Sequence, residues 1–446
     1  MSKSKIQLSD HFTYGRLLRF TMPSIFMMIF TSIYGTVDGF FISNFAGKTA
    51  FAALNLIFPY LQILSGFGAM LGVGGSALVA KTLGEGNIKH AQRYFTMMFW
   101  LTLGTSIFFT ALGIAILRPV AYLFGATEAM IGDCVTYGTI YLLFTAVMHM
   151  QYTFQSYLIV AEKPKFALAV VLSAGCTNMV LDYVSMAVLN MGIAGAALAT
   201  GLSQCVGGLI PLFWFLSKKN KSNLRFCRTK MEWTPMLRAC GNGASEMLTS
   251  VSASITGILY NWQLMKYAGE DGVAAYGVIM YAAFVFIAIY MGYSSGCSPI
   301  MSYHYGAANH KEMKNVMSKS LKMLGGGAVV LTAAAYLLAR PISRIFVGYD
   351  QNLFDMTVHG FMICAVPMLV MWFNIYASSF FTALNDGAVS AAISFMRSLV
   401  LPVICILALP YFFKLDGVWF ALAASEFLSV IVSLFFMLKN RKKYQY

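Results

Sequence analysis

The sequence predicts an all-α integral membrane protein, with twelve transmembrane helices in two six-helix bundles related by a parallel internal repeat. Three observations predict it. Of the 446 residues, 59% are hydrophobic and 11% charged, with mean hydropathy +0.69, against roughly 25% charged in a soluble domain. The apolar residues fall in long blocks, each long enough for the roughly 20 residues that cross a bilayer. One pattern of small residues also recurs at a single fixed offset along the chain.

In chain order the blocks run over 17–44, 52–80, 92–117, 131–161, 166–188, 193–217, 236–267, 273–303, 317–339, 353–384, 388–412 and 417–438. The first would span about 42 Å as a helix. A cleaved signal peptide has an apolar core of only about 7–15 residues, so this block is read as a retained helix, and it carries Asp38 in "TVDGFF". The second block has its counterpart in the eighth. Residues 51–89 align without a gap on 273–311, pairing Ala52 with Ala274, Ile57 with Ile279, Gly74 with Gly296, Gly84 with Gly306 and Asn87 with Asn309. The same offset of 222 joins Ala46-Gly47 to Ala268-Gly269 and Ala161 to Ala383.

The fourth block holds His149, the fifth Asn178 and Asp182, and the sixth Thr200. The seventh carries Glu246 in "GASEMLTS", the tenth His359, the eleventh Arg397 and the twelfth Glu426. The expected organisation is a bundle over 1–217, a basic cytoplasmic linker at 218–235, a second bundle over 236–438 and a basic tail at 439–446. An even number of helices per copy makes both copies enter the membrane from the same side. Parallel repeats of this kind are a known transporter architecture, with substrate bound between the halves and rocking giving alternating access.

Charge placement sets the topology. Numbering the segments alternately puts 24 of the 31 Lys and Arg on the side of the two termini and six on the other, with Arg397 inside a helix. Both termini are therefore expected in the cytoplasm, and the net charge of +14 is a topology signal and no nucleic-acid footprint. Eight cysteines stand singly, without CxxC or Cys/His spacing, so neither a disulfide framework nor a zinc site is indicated and buried apolar thiols are expected. No HExxH or GxSxG motif points to an enzyme.

An ionisable residue near a helix centre costs about 2.5–3.5 kcal/mol on insertion, which makes each one a functional candidate once structural partners are considered. At 1.5 Å per residue, Asp38 lies about 9 Å from the outer end of its helix, and Asp182 and Thr200 about 12 Å. Asn178 shares a helix face with Asp182 at i, i+4. Two carboxylates, an amide and a hydroxyl at one depth suit a hard cation such as Na⁺, or a proton shared between two acids. In the second half Arg397 and Glu426 fall at matching depth on consecutive helices and are read as a structural ion pair. That leaves Glu246 as a candidate substrate or proton residue. His149 and His359 are lone histidines, packing being the commoner role; His359 is kept as a further proton candidate. Some of the 29 Met and 36 Phe are expected to line a central cavity, where thioethers and aromatic faces suit apolar cations.

With "PSIFMMIFTSIYGTVDGFFIS", "NMVLD" and "GIAGAALAT" in this order, the sequence resembles the multidrug and toxic compound extrusion (MATE) family over nearly its whole length. "GASEMLTSVSASITGILYN" and "SYHYGAANHKEMKNV" look most like its bacterial MepA-like branch. The resemblance implies a twelve-helix, V-shaped exporter of cationic drugs, driven by Na⁺ or H⁺ with no other cofactor, in the cytoplasmic membrane of a bacterium. It carries a coupling-cation site onto Asp38, Asn178, Asp182 and Thr200, and matches Pro23 to a proline whose kink moves on cation binding. Some members use acids in the seventh and tenth helices. Glu246 fits the first place, but only His359 stands near the second. Expected partners are small cationic drugs and membrane lipid, without nucleic acid, and the chain is expected to act as a monomer. The alternative reading is a flippase for lipid-linked oligosaccharides or precursors, which needs basic residues in the central cavity to hold a pyrophosphate. A channel or membrane enzyme is the reading from a different class.

Overall fold

A computed structural model describes residues 6–446, apart from the side chains of Thr36, Phe40, Ser43 and Lys48. Lys3, Lys5 and the Lys48 side chain, all counted in the charge asymmetry, lie outside the described residues. In a bilayer the backbone must satisfy its own hydrogen bonds, which a helix does within one segment. The described residues accordingly form helices and no strand. They are α1 (Tyr14–Phe41), α2 (Lys48–Gly84), α3 (Ile88–Leu123), α4 (Glu128–Leu143), α5 (Thr145–Val160), α6 (Pro164–Asp182) and α7 (Gly192–Leu216) in the first half. The second half contains α8 (Trp233–Gly306), α9 (His310–Val347), α10 (Gln351–Ala365), α11 (Met368–Ala383), α12 (Gly387–Phe395) and α13 (Leu401–Tyr444). Three short π-helical turns, Ile42–Ala46, Tyr183–Val188 and Met396–Val400, follow α1, α6 and α12.

As one rod α8 would measure about 111 Å, more than three times the roughly 30 Å hydrocarbon core. It is broken at Gly269 (φ 62, ψ −149), and α13 at Lys414 (φ 52, ψ −125). Conversely, the blocks 131–161 and 353–384, expected as single helices, are each bent: α4 meets α5 at 52° and α10 meets α11 at 49°. With α12, the π-helical turn Met396–Val400 and α13 up to Lys414 read as one helix, each broken run split in two and each bent pair counted once, the described residues make twelve crossings. Pro367 explains the second bend, because it lacks a donor and disfavours helix at the residue before it. The first bend has no proline. There the Phe144 ring lies against Gly201, where any Cβ would collide with it.

The backbone repeats as the sequence does. Left-handed residues Gly47 (φ 91), Gly86 (φ 79) and Gly192 (φ 56) recur 222 positions later as Gly269 (φ 62), Ala308 (φ 51) and Lys414 (φ 52). The bends at Phe144 and Val366 are separated by the same interval.

Three apolar cores give the overall shape. One is shared, joining Leu17, Leu71 and Tyr157 of the first half to Tyr290, Met301 and Phe380 of the second. The other two are private. Ile42, Ile57 and Tyr137 belong to a core of the first half alone, and Tyr260, Phe361 and Trp419 to a core of the second half alone. The bundles therefore join on the side of the termini and separate toward the side of Gly47 and Gly269. At the junction the helices touch through glycine. A Cβ at Gly84 would strike the Tyr303 carbonyl and one at Gly306 the Lys81 carbonyl, a pair of contacts related by the 222 offset.

Two arms cross this junction. The segment before α1 reaches the second bundle: fully buried Phe12 donates its N–H to Glu312 (2.8 Å), and its carbonyl accepts from Asn315 (3.0 Å) and Lys319 (2.7 Å). The linker before α8 lies on the first bundle in the same manner. Leu224 is fully buried, Cys227 N–H donates to Thr96 Oγ1 (3.1 Å), and Glu232 N–H points at Met97 Sδ (3.2 Å). The linker at 218–235 is thus docked on the first bundle. The expected tail at 439–446 is largely the last turn of α13, where Lys443 and Tyr444 bind Asp386. Burial raises the Asp386 carboxyl, but those two donors and the Val389 amide outweigh it and hold it below the ordinary aspartate value. All eight cysteines are free; Cys176 is exposed on α6, so the expectation of buried thiols fails there.

Candidate functional site

Asp182 closes α6, and the π-helical turn Tyr183–Val188 begins at the next residue. Such turns widen a helix and recur at functional sites. Asp182 is fully buried, as is Asn178 one turn earlier. From α1, Asp38 brings its carboxyl within hydrogen-bonding reach of Asp182, one turn before the π-helical segment Ile42–Ala46. Neither carboxylate can donate, so this approach is favourable only with a proton or a cation between the two.

The surrounding oxygens are not otherwise satisfied. Asp38 Oδ1, both carboxylate oxygens of Asp182, Asn178 Oδ1 and Thr200 Oγ1 are buried without a hydrogen-bond partner among the described residues. Single hydroxyls, amides and rings are left unpartnered elsewhere in the described residues, but the only carboxylate oxygens so left are those of Asp38 and Asp182, and such a group calls for an explanation such as an ion or a functional role. Tyr137 from α4 ties the cluster together, facing Asp38 and Asp182 electrostatically with its hydroxyl beside that of Thr200. Thr200 is next to Gly201, the seat of the Phe144 ring, so the bend between α4 and α5 and the position of Thr200 are one packing event. The donor set is all hard oxygen, which fits Na⁺ or a proton and not a soft transition metal. Among the described residues no three His, Cys, Asp or Glu gather as metal ligands.

Tyr34 and Tyr141 also lie in electrostatic range of Asp38, and Tyr141 shares a hydrogen bond of 3.1 Å with Ser65. Sequence reasoning missed these tyrosines. The spacing of Tyr137 and Tyr141, whose rings stack at 6.0 Å, was the available signal.

The second bundle has no such set. Arg397, inside the third π-helical turn, meets Glu426 through Nη2 (2.9 Å) and Nε (3.0 and 3.1 Å). Asn374 adds a hydrogen bond to Glu426 Oε2 (2.8 Å) and is itself bonded by Ser433 (2.8 Å). Glu246 is half-buried and, among the described residues, its carboxylate has no hydrogen bond or ion pair. It sits between Gly243 and Ser250, both of which abut α2, and so at the junction of the bundles. His359 is not lone. Its Nε2 meets Asp416 Oδ1 at 2.8 Å, with the two side chains 58% and 48% exposed. It lines a groove among α9, α10 and α13 with Tyr336 and Phe420, which places it away from the cleft between bundles. His149 is a packed histidine, held by Ser106 (2.8 Å) and the Leu64 carbonyl (3.0 Å). Pro23 lies inside α1, which continues through it as one helix.

The family model MatE matches this chain twice, at residues 23–184 and 246–407. The multidrug export protein MepA of Staphylococcus haemolyticus (strain JCSC1435) is 21% identical over 431 residues, covering 96% of this chain and 94% of that protein. MepA of Staphylococcus aureus (strain MRSA252) is 21% identical over 433 residues with the same coverage. Among solved structures, a MATE protein in complex with MaL6 superposes with a TM-score of 0.93 at 19% identity, covering 100% of both chains. An outward-facing multidrug resistance MATE family transporter gives 0.93 at 20% identity, covering 100% of this chain and 99% of that one. At this identity the likeness to solved structures carries the fold.

Proposed function

We propose, from the premise that this chain belongs to the MatE family, that it is a multidrug antiporter exporting hydrophobic organic cations in exchange for Na⁺ or H⁺. The observation that carries this reading is the meeting of Asp38 and Asp182 amid buried, unpartnered oxygens. Asp38, Asn178, Asp182 and Thr200 are the proposed coupling site. A cation or proton bound there relieves the repulsion of the two carboxylates, and its release restores that repulsion. The π-helical turns after Asp38 and Asp182, together with Pro23, give α1 and α6 places to change shape as the charge changes.

The open side of the molecule is the side with few basic residues, so the positive-inside rule makes it the exterior of a bacterial plasma membrane and puts both termini in the cytoplasm. Substrate would enter the cleft near Glu246 and leave from the open side. Arg397 cannot serve a flippase as a free pyrophosphate ligand while Glu426 and Asn374 hold the ion pair.

The test uses proteoliposomes loaded with ethidium, with a Na⁺ gradient and a pH gradient imposed separately. Export under one gradient, lost in Asp38→Asn, is the expected result and names the coupling ion. Export under neither gradient would remove antiport from the reading and leave the two aspartates without a coupling role.

A further inference from the structure

On the side of the termini, a groove of about 530 Å³ opens among α9, α11 and α13. Its walls are apolar, with Met317 and Leu321 from α9, Phe373 from α11, and Leu434 and Leu438 from α13. Its lining also carries three cations, Lys314, Lys322 and Arg441, and no Asp or Glu. All three are exposed, and none has an ion pair among the described residues. The acids closest to them in sequence are occupied elsewhere, Glu312 by His11, Phe12 and Asn315, and Glu426 by Arg397 and Asn374; Asp386 is held by Lys443 and Tyr444.

Two of the three cations stand above the apolar residues, while Lys322 lies eight residues beyond Lys314 on α9, about 12 Å deeper. Lys314 lies one turn from the start of α9 and Arg441 one turn from the end of α13, the level of the headgroups. Phe373 lies ten residues from the end of α11, about 15 Å deeper. Leu434 is seven residues inward from Arg441, about 10 Å. Cations at the interface above an apolar trough match an amphiphile with an anionic head and an acyl tail. Basic pockets between transmembrane helices hold such lipids.

We propose that this groove is a binding site for one anionic phospholipid of the leaflet on the side of the termini. Its phosphate is gripped by Lys314 and Arg441, with Lys322 reaching toward it from deeper on α9, and an acyl chain lies along Leu438, Leu434 and Phe373. The site is remote from the Asp38–Asp182 cluster and does not depend on the transport reading.

Native mass spectrometry of the purified full chain tests it, with phosphatidylglycerol, phosphatidylcholine of the same acyl chains and inorganic phosphate added in turn. The wild-type protein should retain one phosphatidylglycerol with a preference of about tenfold or more over phosphatidylcholine. Lys314→Ala/Lys322→Ala/Arg441→Ala should bring that preference close to parity, and Leu438→Trp should do the same by filling the trough with the cations intact. Lys218→Ala/Lys219→Ala/Lys221→Ala, which removes the same charge from the linker, should leave the preference unchanged. Should the triple groove variant fail to fold, Arg441→Gln replaces it, with about a threefold or greater loss expected. Groove variants that bind as wild type, an equal loss in the linker control, or displacement of the lipid by phosphate alone would each overturn the proposal.

Discussion

In the bundle of α1–α7 the carboxylates of Asp38 and Asp182 approach each other and keep unpartnered oxygens, whereas in the bundle of α8–α13 the carboxylate of Glu426 is held by Arg397 and Asn374. Both bundles use one backbone plan, with left-handed residues and bends recurring at one interval. Duplication kept the geometry while the buried polar chemistry diverged. A polar group that is fully satisfied serves the fold. A pair of facing carboxylates left unsatisfied in the same plan costs far more stability than a lone hydroxyl or amide, and so marks where that cost is offset by function.

The sharpest way to break this comparison is to neutralise each bundle in turn. Asp182→Asn should drop gradient-driven ethidium export to background, while the purified protein melts at the same or a higher temperature. Removing an uncompensated buried charge should gain about 1–3 kcal/mol. Export at wild-type rate would take Asp182 out of coupling. Arg397→Ala should do the reverse in the second bundle, costing about 3–5 kcal/mol because Glu426 is left buried and unpaired. The double variant Arg397→Met/Glu426→Leu should return to within about 1 kcal/mol of wild type and still transport. Loss of transport with stability restored would give the pair a role in the cycle.

The junction offers a smaller test. Gly84→Leu forces a side chain into the Tyr303 carbonyl and should cost about 1–3 kcal/mol. Cysteines placed on the closed side should then label faster, and unchanged labelling would mean that the glycine contact does not hold the bundles together. Glu246→Gln should raise the apparent KM for dicationic dyes severalfold more than for monocations; equal changes would argue against contact with substrate. Lys414→Gly is expected to have the smallest effect. Its counterpart Gly192 holds the same left-handed turn without strain, so the glycine should stabilise the chain by about 1 kcal/mol. A loss of stability would show that the Lys414 side chain contributes more than its backbone costs.

The twelve spans, the repeat and the aspartates were legible because each is a local property of the chain: block length, a fixed offset and depth along a helix. The bend at Phe144 was not, since it depends on a ring meeting Gly201 from a different helix. Pro367 was an available signal for the partner bend at Val366, and the block 353–384 nonetheless read as one helix. His359 read as lone because its partner, Asp416, sits beyond the turn at Lys414, 57 residues away. Tyr137 and Tyr141 read as ordinary aromatic residues until the fold brought them to Asp38, and Asn374 gave no sign of its bond to Glu426. Charge and spacing identify which residues are costly to bury; the distant side chains that settle that cost become visible only in three dimensions.

The crossed arms fix how the halves can swing. Phe12 is seated in the second bundle, and α1 begins two residues later at Tyr14. Glu232 is seated on the first bundle, and α8 begins at the next residue, Trp233. At roughly 3.3–3.6 Å per extended residue, neither arm has slack. While both stay seated, the starts of α1 and α8 act as two fixed bearings, and the line through them is the axle of any rocking motion. Helix ends far from that axle must sweep the widest arcs, and they are the ends that carry Asp38 and the turn after Asp182.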